Sequence, residues 1–306
     1  MKNTLTIQGI NWIHLVSPTA KEINDCNAQY ELHELVTEDL LELNTQDKID
    51  IYDDHISLVL HFPKYDRTSR RYLLNELNVV LGKSYIISVT RFVTNTIERM
   101  RNKFALQVSD LDEDEKFKVT PYYMLYEMID IMYEKMFGLL TKMSKDIITI
   151  EEELFENQIN SQMISLLMIK RRNISFLKHN FGTQQDVIEK LVTILPKFYE
   201  DDLEVYFEDL STKHAKIMSM IATFEDNITS MTETYNSLMN IQTNKTILLL
   251  TVFTAILLPL TLISGIYGMN VPLPFQHHPW AFAYIMIAML AIGSVMLLLF
   301  RRKKNW

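Results

Sequence analysis

The apolar positions of this 306-residue chain change their rhythm along its length. Up to about residue 110 they come in short β-branched runs, TLTIQ (4–8), DIYDDHISLVLHF (50–62), LNELNVVL (74–81) and SYIISV (84–89), which read as strands. Short helical stretches lie between them. Ser17-Pro18 ahead of TAKEINDC reads as a cap and first helical residue, and LVTEDLLEL as a second short helix. After Pro121 the period lengthens. Leu125, Met128, Met132, Met136, Leu139, Met143, Ile147, Ile150 and Leu154 follow each other at intervals of three and four, a single stripe along one helix. A Met-rich stripe could bind a soft metal, but Met at core spacing is normally a gap-filler, and packing is the reading taken.

A second helical region covers about 157 to 195 and is expected to end at Pro196. The third has neither glycine nor proline from Lys197 to Leu258. Its Ile217, Ile221, Phe224, Ile228, Met231, Tyr235 and Leu238 alternate at four and three like a coiled-coil seam, with Glu225, Asp226 and Glu233 off it. No breaker separates this seam from the apolar run that follows. One helix from about Asp202 to Tyr267 is predicted, roughly 100 Å long at 1.5 Å per residue, so that a stalk and a membrane helix would move as one rod.

Ile247 to Tyr267 and Ala281 to Phe300 are runs of 21 and 20 residues without a single Asp, Glu, Lys or Arg. Each is long enough for the ~30 Å hydrocarbon core of a bilayer. The connection between them is short and also uncharged, whereas Lys245 precedes the first span and Arg301, Arg302, Lys303 and Lys304 follow the second. The positive-inside rule then puts both termini in the cytoplasm and the loop outside. Tyr267, Trp280 and Trp306 fall where interfacial aromatics belong.

Charge sharpens this division. Residues 1–246 hold 26 basic against 38 acidic residues, net −12, and the basic tail holds +4. An acidic body argues against a nucleic-acid partner and suits cations. The one cysteine, Cys26, leaves no intrachain disulfide, which fits a reducing compartment, and the N-terminus lacks the apolar stretch of a secretory signal. No Walker loop, GxGxxG, HExxH or Ser/His/Asp grouping is present, so nothing supports an enzyme, an organic cofactor or ATP-driven work. His55 and His61 are too far apart for a metal pair on a strand face and read as solvated or core histidines.

Within the first span Asn244, Ile247, Thr251, Thr254, Leu258, Thr261 and Gly265 share one face, the more polar one. Two readings are open: a small-residue contact between membrane helices, or the lining of a pore. Two spans cannot enclose a pore, so the second reading requires an oligomer. The second span, relieved only by Tyr284, Gly293 and Ser294, reads as its lipid-facing partner.

The run ILLPLTLISGIYGMN (256–270), its Gly-Met-Asn placed just after the first span, and the closing FRRKKNW resemble the CorA family of magnesium transporters. WIHLVSPTAKEI (12–23), similar to that family's opening strand and helix, YFEDL (206–210) and the TNKT junction (243–246) extend the resemblance over the whole chain. It implies an α+β cytosolic head, a long helical stalk and two C-terminal transmembrane helices, assembled as a funnel-shaped homopentamer. The expected divisions are a cytosolic α/β domain at 1–120, a helical stalk at 121–246, a pore-lining span at 247–267, an external loop at 268–280, a second span at 281–300 and a basic tail at 301–306. Carried over by residue, Asn270 would ring the external mouth with carboxamide oxygens, with Gly268 and Met269 shaping that ring. Asn244, Ile247, Leu250, Thr254, Leu258 and Thr261 match pore-facing positions. Asp209 in YFEDL and Asp66 in HFPKYDR match a cytosolic site at which Mg²⁺ holds the closed state.

The physics of such a filter is coherent, because Mg²⁺ dehydrates reluctantly and neutral oxygens can hold its water shell without trapping the charge. The chain departs from the family in its loop, where VPLPFQHHPW replaces a commonly acidic segment. His277 and His278 would repel cations when protonated, and two adjacent ligands make a poor transition-metal site. The expected function is passive Mg²⁺ uptake, with Co²⁺ and Ni²⁺ as further cargo. The alternatives are a Zn²⁺ or other transition-metal transporter on the same scaffold, though Met269 stands where zinc-carrying relatives tend to have Ile, and a membrane-anchored sensor that passes no ions.

Overall fold

The computed structural model describes residues 2–91, 95–110, 119–156, 161–198, 203–274 and 278–302. Six strands, β1 (Lys2–Ile7), β2 (Ile10–Val16), β3 (Lys48–Ile51), β4 (His55–Asp66), β5 (Arg71–Gly82) and β6 (Tyr85–Thr90), form one sheet in the order β1-β2-β6-β5-β4-β3. All neighbours are antiparallel except β2 and β6, which run parallel. Among the described residues seven helices accompany them: α1 (Ala20–Tyr30), α2 (Glu34–Leu41), α3 (Asn95–Asp110), α4 (Pro121–Phe155), α5 (Ser161–Phe198), α6 (Glu204–Tyr267) and α7 (Ala281–Arg302). The chain divides into two compact units, Met1–Thr232 and Glu233–Trp306.

In the first unit each face of the sheet is covered. Ile13 and Leu15 of β2 lie beside Ile87 and Val89 of β6, and with Val80 of β5 they bury Ile23, Cys26, Val36 and Leu40 of α1 and α2. The opposite face takes Trp12 against Phe104 of α3, ring centroids 6.2 Å apart, and Phe62 against Tyr133 of α4 at the same distance. Burial on both faces explains why INWIHLV shows no alternation and was legible as β2 only through the resemblance.

The structure corrects several local expectations. The run 50–62 is two strands, because the chain turns at Tyr52, whose N–H donates to the carbonyl of His55 at 3.0 Å. The cap of α1 is Thr19, not Ser17: the Thr19 hydroxyl accepts from the Glu22 N–H and the Glu22 carboxylate from the Thr19 N–H, a reciprocal capping box. Ser17 instead sits at φ +44° and donates its hydroxyl to the carbonyl of Arg91. The α4 stripe passes through Leu140, fully buried, while Leu139 is only half-buried; the other eight predicted positions are buried. The second long helix runs two residues past Pro196.

On α6 the seam is buried from Ile217 to Tyr235, with Leu238 half-buried. Within the first unit it is fixed to both neighbouring helices. His214 of α6 hydrogen-bonds the carbonyl of Phe181 on α5 through Nε2 at 2.8 Å, and burial of its ring, opposed by that carbonyl, lowers its pKa. Lys213 of α6 pairs with Asp130 of α4. Both histidines of β4 prove to be buried rather than solvated. His61 has Nδ1 3.2 Å from Asp47 Oδ1 and Nε2 3.0 Å from the carbonyl of Asn44.

Candidate ion pathway and its control residues

α6 is helical without a break from Glu204 to Tyr267 although it contains Pro259. Both α6 and α7 are long and apolar enough to cross a membrane, and none of either apolar window is buried within the chain. In the second unit α6 turns one face to α7. Val252, Ala255, Ile256, Pro259, Leu260 and Ile263 are half-buried, and so are Ile285, Met289, Ile292, Met296 and Phe300 along one side of α7. Gly293 of α7 faces Leu260 of α6, and a Cβ there would stand at an ordinary contact distance of 3.9 Å from Leu260 Cδ1.

The polar stripe is not part of that contact. Asn244, Ile247, Thr251, Thr254, Leu258, Thr261 and Gly265 are all exposed, as is Leu250. At 100° per residue they lie on the side of the helix turned away from α7. The sequence left open whether the stripe packs against the second span or lines a passage; packing against this chain's own α7 is excluded by the exposure. Large apolar groups share the open face: Ile247, Leu250 and Leu258 are 56%, 66% and 63% exposed.

The threonine hydroxyls in this stripe are turned to a common use. Thr251 donates to the carbonyl of Ile247 at 2.8 Å, Thr254 to that of Leu250 at 2.9 Å and Thr261 to that of Leu258 at 2.8 Å. Each hydroxyl proton is therefore consumed inside the helix, and what remains to offer outward is oxygen lone pairs. A row of acceptors suits the protons of a cation's hydration water and has little to give an anion.

The helix ends at Tyr267, as the chain enters Gly-Met-Asn. The Gly268 N–H still reaches the Ser264 carbonyl at 2.9 Å, and that of Met269 reaches Ile266 at 3.2 Å. A Cβ on Gly268 would lie 3.1 Å from the same Ser264 oxygen, tighter than side chains ordinarily tolerate. Asn270 follows, exposed, with no hydrogen bond to its side chain among the described residues. Beside this end, Ile263, Tyr267, His278, Tyr284 and Ile285 line a cavity of about 500 Å³ between α6 and α7. His278 accepts from the Trp280 N–H at 3.2 Å. His277, Lys303, Lys304 and Trp306 lie outside the described residues.

The two aspartates assigned to control occupy different settings. Asp66 closes the β4–β5 turn, accepting from the N–H groups of Thr68 and Ser69 at 3.1 and 3.2 Å and from the Ser69 hydroxyl at 2.6 Å. Those hydrogen bonds, led by the Ser69 hydroxyl, lower its pKa. Asp209 is on α6, where its Oδ2 accepts from Lys213 at 2.8 Å and from the Tyr126 hydroxyl at 3.1 Å. The two aspartates share no partner among the described residues, and these hold no group of three or more His, Cys, Asp or Glu able to ligate a metal. Sequence reading missed Lys213, Asp130 and Tyr126 around Asp209; only the i,i+4 spacing of Asp209 and Lys213 signalled the first.

Comparison with known proteins agrees with this architecture. The cobalt/magnesium transport protein CorA of Thermotoga maritima is 25% identical over 281 residues, 90% of this chain and 77% of that one. The magnesium transport protein CorA of Wolinella succinogenes is 24% identical over 308 residues, covering 96% and 90%. Among solved structures, the complete CorA magnesium transporter from Methanocaldococcus jannaschii has the same fold, with a TM-score of 0.84 at 19% identity over 96% of this chain and 91% of that one. The profile of the CorA-like Mg²⁺ transporter proteins matches residues 7–302, and the chain belongs to that family.

Proposed function

We propose that the chain is one subunit of a passive pathway for hydrated divalent cations, with Mg²⁺ as its principal cargo and Co²⁺ as a second. The observation that carries this reading is the stripe of α6, exposed on the side away from α7 and offering hydroxyl lone pairs, with an uncommitted Asn270 just beyond the helix end. One copy of such a stripe encloses nothing. A ring of copies, five by analogy with the family, would close it into a passage whose outer mouth is a ring of carboxamides at Asn270. The described residues of one chain hold no clustered ligand set, which suits an ion handled through its water shell rather than stripped of it.

Ile247, Leu250 and Leu258 are the apolar constriction in this scheme, closing the passage by dewetting when the ring narrows. Entry needs no pump: a divalent ion crossing ~100 mV gains about 4.6 kcal/mol, at ~2.3 kcal/mol per charge. Asp209 and Asp66, which meet no common partner among the described residues of a chain, act as a cytosolic sensor where two copies bring them together, with internal Mg²⁺ favouring the closed state. The N- and C-termini lie on that cytosolic side. The relatives named for cobalt and magnesium support this cargo. Zinc is not favoured.

The test is divalent flux into liposomes holding the purified full chain, wild type beside Asn270→Ala, with the interior free of Mg²⁺. Mg²⁺ entry that collapses in the variant is expected. Zn²⁺ entry without Mg²⁺ entry would overturn the cargo, and no flux of any divalent cation would favour the membrane-anchored sensor instead.

A further inference from the structure

Asp209 does not stand on α6 as a free carboxylate. The Lys213 ammonium, one turn further along, lies between Asp209 Oδ2 at 2.8 Å and Asp130 Oδ1 of α4, and it contacts both. The Tyr126 hydroxyl donates to the same Asp209 oxygen at 3.1 Å. Tyr126, Tyr123 and Tyr206 wall this group in, with ring centroids of 5.0 Å between Tyr126 and Tyr206 and 5.6 Å between Tyr123 and Tyr206. The Lys213 and Asp130 side chains are only 23% and 21% exposed, whereas Asp209 is 41% exposed. Its Oδ1 has no partner among the described residues. The carboxylate thus has one oxygen taken up by the chain's own cation and the other open to solvent.

From this we infer that Lys213 is a built-in counter-ion that competes with internal divalent cations for Asp209 and thereby sets the Mg²⁺ concentration at which the pathway closes. This rests on the reading of Asp209 as part of the cytosolic sensor. The electrostatics are direct. A divalent cation arriving at Asp209 Oδ1 meets an ion pair instead of a bare anion, and it is repelled by an ammonium about one carboxylate away. Binding must displace Lys213 from Oδ2 or share the group with it. Either route raises the concentration required. Burial alone would lower the pKa of Lys213, but the hydrogen bonds to Asp130 and Asp209 and the charge of Asp130 raise it well above the usual lysine value. The counter-ion therefore stays charged across the physiological range, and the set-point it imposes is insensitive to cytosolic pH. Lys213 also ties α6 to α4 through Asp130, so a purely structural role is the competing account, and the two make different predictions.

The experiment is inhibition of flux by internal Mg²⁺ in proteoliposomes of the full chain, for wild type, Lys213→Gln, Lys213→Arg, Asp209→Asn and the double variant Asp209→Asn/Lys213→Gln. Lys213→Gln should lower the half-inhibiting Mg²⁺ concentration about fivefold, the factor expected for losing one partly exposed ion pair. Lys213→Arg should behave as wild type, and adding Asp209→Asn should erase the gain. In parallel, the melting temperature of the Lys213→Gln oligomer should respond to Mg²⁺ at correspondingly lower concentration. If Asp209→Asn shifts inhibition while Lys213→Gln changes only the Mg²⁺-free melting temperature, Lys213 is a structural tie and the counter-ion role is wrong. If Asp209→Asn leaves inhibition as it was, the sensor assignment of Asp209 itself has failed.

Discussion

Thr254→Val separates a lined passage from a packed helix face. Valine keeps the β-branched shape and removes one oxygen. The hydroxyl donates to the Leu250 carbonyl at 2.9 Å, and that carbonyl remains available to the helix, so the backbone loses nothing it needs. Thr254 is exposed in the chain and faces away from α7, so the fold should change stability by under ~0.5 kcal/mol. The effect on a hydrated ion is larger. Each subunit forfeits an acceptor worth about 0.5–1.5 kcal/mol net. A water shell cannot use every copy in a ring at once, and two lost contacts, about 2 kcal/mol, correspond to roughly a thirtyfold fall in flux. The assay is Mg²⁺ entry into liposomes with thermal melting of the same preparation, and Thr254→Ser as the control that restores the oxygen. Unchanged flux with an unchanged melting temperature would remove the stripe from the pathway. A change in oligomer stability at constant flux per oligomer would make it a packing surface.

Gly268→Ala should reduce Mg²⁺ flux about fivefold or more, because a Cβ 3.1 Å from the Ser264 carbonyl displaces the Met269–Asn270 segment by a steric clash costing ~1 kcal/mol or more; wild-type flux in this variant would contradict the argument. Gly138→Ala, exposed in α4 with nothing within 4 Å of the new methyl, should stabilise the protein by about 0.5–1 kcal/mol, read from chemical denaturation, and leave flux alone. His61→Gln should destabilise the protein more at pH 6 than at pH 9. Burial lowers the imidazole pKa, but the hydrogen bond and charge of Asp47, the Asn44 carbonyl and the Glu76 carboxylate together raise it above 6.5. The stabilisation is thus complete below pH 6.5 and is lost as pH rises through the raised value. Melting curves whose wild-type advantage grows with pH would refute the protonated state; Thr183 and Gln184 of α5, bonded to Asp47 and to the His61 carbonyl, bring no charge of their own.

How far the sequence could be read depended on how local each signal was. The two spans were visible because 54 consecutive residues without a formal charge leave few other solutions. The seam of α6 was visible because it is long and strictly spaced. Thr19 was passed over for Ser17-Pro18 because both patterns start helices, and only the Glu22 carboxylate three residues on distinguishes them. Leu139 and Leu140 are adjacent, so either continues the α4 stripe; the packing that selects Leu140 comes from partners distant in sequence. The same holds for the candidate control site. Asp209 was found through a motif, but Asp130 is 79 positions away on α4, and no spacing rule joins them.

The acidic body also takes on a different meaning once its pairs are in place. A net −12 over residues 1–246 suggests a surface ready to collect cations, yet among the described residues several carboxylates already hold a lysine: Asp39 with Lys48, Glu127 with Lys103, Asp146 with Lys170, Asp130 and Asp209 with Lys213, and Glu225 with Lys178. A bare cluster would bind Mg²⁺ tightly and stay saturated, and a saturated sensor reports nothing. To respond near the working concentration of an ion, a site must be weakened. Pre-pairing with lysine weakens it without removing the carboxylate, and the exchange of one cation for another avoids leaving a buried charge alone. Of these six pairs among the described residues, that of Asp209 with Lys213 has both members on the helix that also carries the open polar stripe. Lys178–Glu225 touches α6 as well, but both side chains there are a third or more exposed and have water to hand, so exchanging that lysine would change little. The half-buried lysine between α4 and α6 is therefore the place where one substitution can move the closing concentration.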